Sequence, residues 1–556
     1  MGDKVKSKRL ASGSSRRAES RARYVIRSYA SKRGWNVRHP DRGGNFLEEN
    51  EILRAYPDIG LDLQRPDFLI VVGGLPVAII EAKNSIGLLK QATQEACDYA
   101  DRIRDYGQFD VRIAIGAAGE EDRGFAVAVK FRSNSGQWIP LTAFGAELTA
   151  VPSPTEVHFA LEASNGSTAV SIPDQSEFID AAIDLSLILR KAKIEPNLRP
   201  KVIGALVSAI HAGDFDTQKI KSLEAVNDLL RLAINSFDGV TTVKQDRLFE
   251  ALRLSEADFE RLVPFIGTVI HTLARLNVRA VLNSDTDFLG IFYEAFLRYG
   301  YDSNALGIVF TPRHITRLAV SLSDIQPNHR VVDLASGTGG FLVAAFEQMR
   351  QVAISTAQRE SIRENIWGFD TNPTIWALAS LNMFFRGDGK SHIENESSLE
   401  QHATDQVASC FDRAFLNPPF SQDGEPERDF IDASMAALRL GGILVAVVLA
   451  GVFADEEHKP WRQNFLRVHK LLATISLPED LFYPTAAPTT MLICQAHIPH
   501  GGHSAFIARV SNDGYEKSKG RRIPAAGEQL TTVLSLYRRH SEGKVIDSAL
   551  ASTVPG

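Results

Sequence analysis

The sequence predicts an α/β protein of several domains: an amino-terminal α/β unit and a carboxy-terminal doubly wound sheet, separated by a helical stretch. Three observations predict it. Residues 65–85 read as two short apolar strands about a glycine turn, followed by a helix and another strand. Residues 175–299 repeat apolar side chains at spacings of three and four. After Gly300, apolar runs alternate with amphipathic segments, the pattern of a sheet covered on both faces with its ligands at the carboxyl ends of the strands. At 556 residues and 44% hydrophobic composition, the chain is long enough for about two to four domains, each with its own core.

In chain order, residues 1–33 form a basic arm. Eleven Lys or Arg, among them Lys4, Lys6, Lys8, Arg9, Arg16, Arg17, Arg21 and Arg23, stand against Asp3 and Glu19, although the whole chain carries a net charge of −6. Such an arm can follow a phosphate backbone by releasing counterions; as a bland alternative it is a solvated tail. Its end, from Arg21, has the Tyr24, Val25, Tyr29 spacing of a helix that Gly34 stops. No apolar run reaches the roughly twenty residues of a membrane helix, and none resembles a signal peptide, so the expected location is cytoplasmic. The three cysteines, Cys97, Cys410 and Cys494, lie far apart and indicate neither a disulfide framework nor a zinc site.

Residues 34–150 are expected to be the compact α/β unit. Strands are predicted over Phe68–Val72 and Val77–Glu81 about Gly73-Gly74, a helix over 86–103, a strand from Val111, and a last hairpin of FAVAVKF and QWIPL. Asp67, Glu81 and Lys83 then fall on two adjacent strands. Two neighbouring carboxylates can hold Mg2+, which would polarise a phosphodiester and lower the pKa of a bound water, with Lys83 orienting that water or neutralising charge. Surface salt bridges are the commoner outcome of so permissive a pattern. Pro152 and Pro154 mark a linker over 151–174, and the helical stretch 175–299 shows no chemistry of its own.

Beyond residue 300, strands are expected at 330–334, 366–369, 411–416, 443–449 and 472–476, and helices at 340–358, 372–386, 426–439 and 459–470. Two strand ends carry the chemistry. Asp333-Leu334-Ala335-Ser336-Gly337-Thr338-Gly339-Gly340 leaves a strand and enters a helix, and its glycines let a backbone approach a nucleotide-like ligand closely. About thirty-five residues on, the next strand ends at Asp370, where a carboxylate can accept from both ribose hydroxyls of an adenosine. Gly389-Lys390-Ser391 lacks the upstream glycine of a phosphate-binding loop. The second strand end is Asn417-Pro418-Pro419-Phe420. Its prolines fix the backbone so that the Asn417 amide oxygen and the Pro418 carbonyl can accept both hydrogens of one amino group, while Phe420 offers a ring face to a base turned out of a duplex. No cysteine is placed to attack a cytosine ring.

These stretches carry two resemblances. Residues 285–525, through DFLGIFYEAFLRYG, IVFTPRHITRLAV, DLASGTGGFL, GFDTNPTIWALASLNMFF, FLNPPF, LPEDLFYPTAAPTTMLI and NDGYEKSKGRR, resemble the modification subunit of type I restriction-modification systems, a gamma-class DNA adenine-N6 methyltransferase. The resemblance implies S-adenosylmethionine as cofactor, with Phe310, Thr311 and Pro312 covering its methionine end and the turn from Asp333 through Ser336, Gly337, Thr338, Gly339 and Gly340 at its amino acid part. The family commonly has Pro and Cys where Leu334 and Ser336 stand, and an acidic residue near the cofactor adenine where this chain has Asn395-Glu396-Ser397-Ser398-Leu399. PDFLIVVGGLPVAIIEAKNS resembles the nuclease domain of type I restriction subunits, of the PD-(D/E)xK class. That resemblance implies Asp67, Glu81 and Lys83 as its site and Glu48, Glu49 or Glu51 as an upstream helix acid. Where the family often shows Gln and Tyr four residues apart, Tyr99 has Glu95 at that spacing and Gln94 one residue off.

The expected protein is therefore a fused restriction-modification protein with a methyltransferase domain at 300–525 and a helical tail at 526–556. Too little chain remains for a target-recognition domain, so the expected partners are double-stranded DNA, a specificity subunit in trans and, if cutting requires translocation, a separate ATP-dependent motor subunit. The alternative is a methyltransferase whose N-terminal domain binds DNA without cutting it. The last helix, with Leu530, Val533, Leu534 and Tyr537 on one face, is expected to pack on its own domain more than on a partner.

Overall fold

The computed structural model describes residues 21–61, 65–120, 124–168, 175–212, 222–237, 240–282, 290, 292, 296, 310–388, 390–420, 426–483, 487–518 and 521–554. The basic residues 4–17, most of DFLGIFYEAFLRYG, the start of IVFTPRH and Gly389 lie outside the described residues. The chain divides into two compact units, residues 1–233 with 254–288, and residues 234–253 with 289–556.

The first unit is built on a six-stranded sheet in sequence order: β1 (Phe46–Glu48), β2 (Phe68–Val72), β3 (Leu75–Lys83), β4 (Ile113–Glu120), β5 (Gly124–Arg132) and β6 (Trp138–Pro140). Only β3 and β4 run parallel, because helix Leu89–Tyr106 carries the chain across between them; the other neighbours are antiparallel. Side chains alternate between two cores. Phe68, Ile70, Ile80, Ile113 and Ile115 face one, while Leu69, Ile79 and Ala114 face the other with Ala96, Ala100 and Ile103 of the helix. Burial on both faces explains why β2 and β3 read as continuous apolar runs. The helix lies so close to β4 that a Cβ on Gly116 would come within 2.1 Å of Thr93 Oγ1.

Where a loop is expected after residue 150, Pro154–Ala163 is a helix. Pro154 occupies its first turn, and Ser153 and Glu156 cap it reciprocally, Ser153 Oγ accepting from the Glu156 amide and the Glu156 carboxylate from the Ser153 amide. Val157 and Ala160 join the core of the sheet, and the buried Arg33 Nη2 donates to Glu156 Oε2 at 2.6 Å. A small hairpin, β7 (Thr142–Ala143) and β8 (Ala146–Glu147), precedes it.

The second unit holds a nine-stranded sheet. Its strands are β9 (Val331–Asp333), β10 (Ile366–Phe369), β11 (His392–Glu394), β12 (Phe411–Leu416), β13 (Leu438–Leu449), β14 (Lys470–Ser476), β15 (Thr489–Gln495), β16 (Ala505–Arg509) and β19 (Ala551–Val554), in the order β11-β10-β9-β12-β13-β15-β14-β16-β19. From β11 to β13 all pairings are parallel; β15 enters antiparallel between β13 and β14. This is a mixed α/β fold with a Rossmann-like sheet. Its order reverses beside β9, whose neighbours are β10 on one side and β12 on the other, so a crevice opens at the carboxyl ends of β9 and β12. Helices Gly340–Val352 and Pro373–Phe384 follow β9 and β10; nearly every residue of the latter is buried, and Trp376 Nε1 donates to the Ile393 carbonyl at 2.8 Å.

Beyond the sheet, β17 (Tyr515–Ser518) and β18 (Arg521–Pro524) form a hairpin. The carboxy-terminal segment is more than a helical tail. Helix Leu530–Ser541 buries Leu530 and Val533 and sets Tyr537 edge-on against Phe506 of β16, and β19 then adds to that strand as the sheet's last member. Helix 340–358 is shorter than expected: it ends at Val352, and Ser355 caps a separate helix Thr356–Glu364.

Candidate functional sites

In the second unit, the crevice at β9 and β12 holds a cavity of about 530 Å3. Phe310, Thr311, Asp333, Ser336, Gly337, Thr338, Gly340 and Asn417 line it, as do Ala335, Arg313, Phe341 and Asn382. Gly337 and Gly339 adopt φ +54° and +82°, left-handed conformations that turn the chain from β9 into the helix. A side chain on Gly337 would meet nothing within 4 Å, so the turn presents bare backbone.

Two carboxyls stand at this turn. Burial pushes Asp333 up to about 7 even though its Oδ1 accepts from the Ala335 amide at 3.0 Å. Burial likewise raises Asp370 to about 6 against the Asn372 and Gly337 amides that donate to it. Pro312, Gly339 and Asp370 do not line the cavity wall itself; Pro312 caps helix Arg313–Leu322, and Asp370 holds the glycine turn through the Gly337 amide. At the NESSL stretch, Asn395 Nδ2 donates to the Asp370 and Thr371 carbonyls at 2.9 and 3.0 Å, and Ser398 Oγ to Leu334 O at 2.7 Å. Asn395 thus supports the loop that carries Asp370.

Asn417 follows β12 directly, and its Nδ2 donates to Thr311 Oγ1 at 2.8 Å. This bond commits the donor end of the amide and so orients the acceptor end. Phe420 meets Phe482 edge-to-face at 5.5 Å between centroids. The Thr311 segment is itself anchored from behind: His314 Nε2 lies 2.8 Å from Asp513 Oδ2, and Arg522 grips the same carboxylate at 2.9 and 2.6 Å. Burial alone would raise Asp513, but His314 and Arg522 outweigh it and hold the carboxyl well below its usual range.

Sequence reading did not assign Asn382, whose Nδ2 donates to Thr338 O at 3.1 Å and steadies the glycine turn. Its signal was a lone amide in an otherwise apolar helix. Thr311 was expected at the cofactor, but not its bond to Asn417.

In the first unit, β2 and β3 bring Asp67, Glu81 and Lys83 together. Asp67 Oδ2 accepts from the Ala82 amide at 2.7 Å, and Lys83 Nζ lies 3.1 Å from Glu81 Oε1 and 2.5 Å from Glu95 Oε2. Burial, and then the neighbouring Asp67, pushes Glu81 up to about 8; burial is also what raises Asp67, chiefly against Arg23. Burial disfavours the Lys83 ammonium, but Glu95 and Glu81 more than compensate and raise its pKa. Of the three candidate helix acids, Glu51 is committed to the Glu48 amide at 2.8 Å and Glu48 pairs with Arg27, which leaves Glu49 facing Asp67 through a shared partner, Arg23. Tyr99 is shifted upward by burial, with Glu81 and Glu95 adding to it, which puts Tyr99 beside the cluster. Among the described residues no group of three or more His, Cys, Asp or Glu meets the geometry of a preformed metal site. No helix among them is long and apolar enough to cross a membrane.

With a glycine turn, a strand-end carboxylate and Asn417 around one crevice, the fold can be compared with known proteins. Residues 284–550 match the N-6 DNA Methylase family. The chain is 34% identical over 228 residues to the type II restriction enzyme and methyltransferase RM.BcgI of Heyndrickxia coagulans, covering 39% of this chain and 36% of that relative. It is 31% identical over 164 residues to the type I restriction enzyme MjaIX methylase subunit of Methanocaldococcus jannaschii, covering 29% of this chain and 27% of that subunit. The matched stretches thus span about a third of these relatives, 36% and 27% of their length. Among solved structures, the type I restriction-modification methyltransferase subunit of Streptococcus thermophilus aligns at TM-score 0.45 and 16% identity, over 68% of this chain and 96% of that one. All but the first five residues of the N-6 DNA methylase match, 284–288, fall within the second unit, and the match takes in the residues that line its cavity.

Proposed function

We propose that the chain transfers a methyl group from S-adenosylmethionine to the N6 amino group of adenine in double-stranded DNA, as the modification half of a restriction-modification protein. The observation that carries this is the Asn417 amide in the wall of the β9/β12 crevice, beside the glycine turn and with its Nδ2 donating to Thr311 Oγ1. The cavity fits the cofactor on its own chemistry. Bare backbone at Gly337 can receive a ligand without steric conflict, and the buried Asp333 carboxyl, raised to about 7 chiefly by burial, is suited to an ammonium such as the one on the methionine part, which would favour its ionised form. Asp370 would accept from the ribose hydroxyls, and Phe310, Thr311 and Pro312 would cover the methionine end, with Ser336, Thr338, Gly339 and Gly340 completing the turn.

Bound there, S-adenosylmethionine supplies an electrophilic sulfonium methyl. The chain's part is orientation. Asn417 Oδ1 and the Pro418 carbonyl accept the two hydrogens of the adenine amino group, which turns the nitrogen lone pair out of conjugation and toward the donor. Pro418 and Pro419 keep those acceptors from moving, and Phe420 stacks on the extruded base. The adenine nitrogen takes the methyl as the carbon–sulfur bond breaks, which leaves S-adenosylhomocysteine, and it then gives up one of its two hydrogens as a proton to solvent; with no strongly basic side chain required for that, positioning carries the catalysis. Labelled-methyl transfer to adenine-containing DNA, with a specificity subunit present, tests this: wild type transfers label, and equal transfer by Asn417→Ala refutes it.

We further infer that the first unit is a PD-(D/E)xK-type, Mg2+-dependent endonuclease module, with Asp67 and Glu81 as metal ligands, Lys83 beside them and Glu49 as the helix acid. That one relative is by name both a restriction enzyme and a methyltransferase supports the pairing. The donor set fits: two adjoining buried carboxyls, one raised to about 8 partly by the other, are what a divalent cation between them would relieve. A second reading, a DNA-binding module that does not cut, is favoured by Glu95 standing where the family often has Gln and pairing with Lys83. Mg2+-dependent cutting that Asp67→Ala abolishes separates the two. Target choice belongs to a specificity subunit in trans, and translocation, if cutting needs it, to a separate ATP-dependent motor subunit.

A further inference from the structure

The first unit's carboxylate cluster already holds a cation of the chain's own. Helix 21–32 directs Arg23 into it, where Nη1 lies 2.8 Å from Glu49 Oε2 and Nη2 pairs with Asp67 Oδ1. Asp67 is only 5% exposed, and its other oxygen, Oδ2, is committed to the Ala82 amide. Oδ1 is therefore the oxygen through which Asp67 would bind a metal, and Arg23 is on it. Glu81, the other expected ligand, adjoins Asp67, with Oε2 accepting from the Asp67 amide at 3.4 Å and Oε1 paired with Lys83.

We propose that Arg23 and a divalent cation compete for one position at Asp67 and Glu49, so that the site takes metal only when Arg23 withdraws. This rests on reading Asp67 and Glu81 as metal ligands. The physical ground is simple. A guanidinium and a divalent cation cannot share Asp67 Oδ1 without close like-charge repulsion, and Arg23 is itself well placed to stay, since it satisfies two carboxylates at once. Withdrawal is feasible because the Arg23 side chain is 39% exposed, so its guanidinium has solvent to move into. In the sequence, six of the arm's cationic side chains, Lys4 to Arg17, precede Arg23, so a DNA backbone that engages them acts on the same stretch of chain. The N-terminal unit is thereby latent in the free protein, and Arg23, read from sequence as one more phosphate-following charge, is the gate of the metal site.

The test is Mn2+ binding to the full chain, followed by the EPR signal of free Mn2+ and by calorimetry, for wild type, Arg23→Ala, Arg23→Gln and Asp67→Asn. Arg23→Gln keeps a polar side chain of intermediate length without the charge and guards against a folding defect in the shorter variant. Both Arg23 variants should bind Mn2+ about tenfold or more tightly than wild type, which is about 1.4 kcal/mol or more, and Asp67→Asn should bind none. Wild-type affinity in both Arg23 variants, with binding still lost in Asp67→Asn, overturns the competition and leaves the metal site standing. Absence of saturable binding in every variant overturns both.

Discussion

Replacing Thr311 by Val isolates what orientation of Asn417 is worth. In the structure the Thr311 hydroxyl accepts from Asn417 Nδ2 at 2.8 Å, the bond that decides which end of the amide faces the crevice. Valine keeps the shape and removes the acceptor. One neutral hydrogen bond contributes about 1 kcal/mol net, which corresponds to roughly a fivefold loss in rate if the amide is misoriented in proportion. Asn417→Ala removes the acceptor altogether and should cost far more, on the order of the 100-fold to 1,000-fold seen when one preorganised polar contact to a reacting group is deleted. Thr311→Ser should restore the rate, because it restores the oxygen. Single-turnover methyl transfer to DNA reads the chemical step, and calorimetry with S-adenosylmethionine reads binding separately, since Thr311 also lines the cavity. A wild-type single-turnover rate for Thr311→Val refutes the orienting role. So does a loss that lies wholly in cofactor affinity.

Other expectations follow from the same geometry. Asp370→Asn should weaken S-adenosylmethionine binding roughly tenfold to 100-fold by calorimetry, as a charged acceptor of hydroxyl hydrogens is worth about 1.5–3 kcal/mol. Metal affinity at Asp67 and Glu81 should rise with pH. Because the folded pKa of Glu81 is raised to about 8 from an ordinary value near 4.3, its protonated form stabilises the metal-free unit, and that stability is lost as pH climbs through about 8. A cation binds the ionised form, so Mn2+ affinity should increase from about pH 6 to pH 8 with proton release, level off above, and lose this slope in Glu81→Gln. Arg33→Ala should lower the stability of the first unit by about 3 kcal/mol, measured by denaturant unfolding, because Glu156 is fully buried and Arg33 is the cation at its carboxylate.

The parts legible in the sequence are those in which a short stretch contains its own reason. Ile366–Phe369 and Phe411–Leu416 are buried runs ended by turn residues, and both strands stand where expected. The glycine turn and Asn417 are local features of strand ends, so the sequence brings them into view before any contact is known. Elements defined by a distant partner were less visible. Strand β11 is three residues of which only Ile393 is buried, and β19 has a mostly exposed face; each exists because a neighbour's edge was open to it. Ala353 and Ile354 prolonged an apolar pattern beyond the true end of helix Gly340–Val352, yet Ile354 is 91% exposed and Ser355 caps the next helix. Pro154 reads as a linker residue until Ser153 and Glu156 are seen to close a capping box around it. The same holds in the sites. Thr311 and Asn417 are joined across more than a hundred positions of chain, and Arg23 reaches Asp67 from a stretch whose composition suggested a phosphate-following arm or a solvated tail. Which residues would come together was readable from spacing, and which charge sits on which carboxylate was not.

The most direct test is base-resolved mapping of DNA from cells that express this chain with a specificity subunit, comparing wild type with Asn417→Ala. The structure leads us to expect N6-methyladenine at a defined set of sites with wild type and none at those sites with the variant. Methylation that persists in Asn417→Ala, or that falls on cytosine C5 instead of adenine N6, would contradict it.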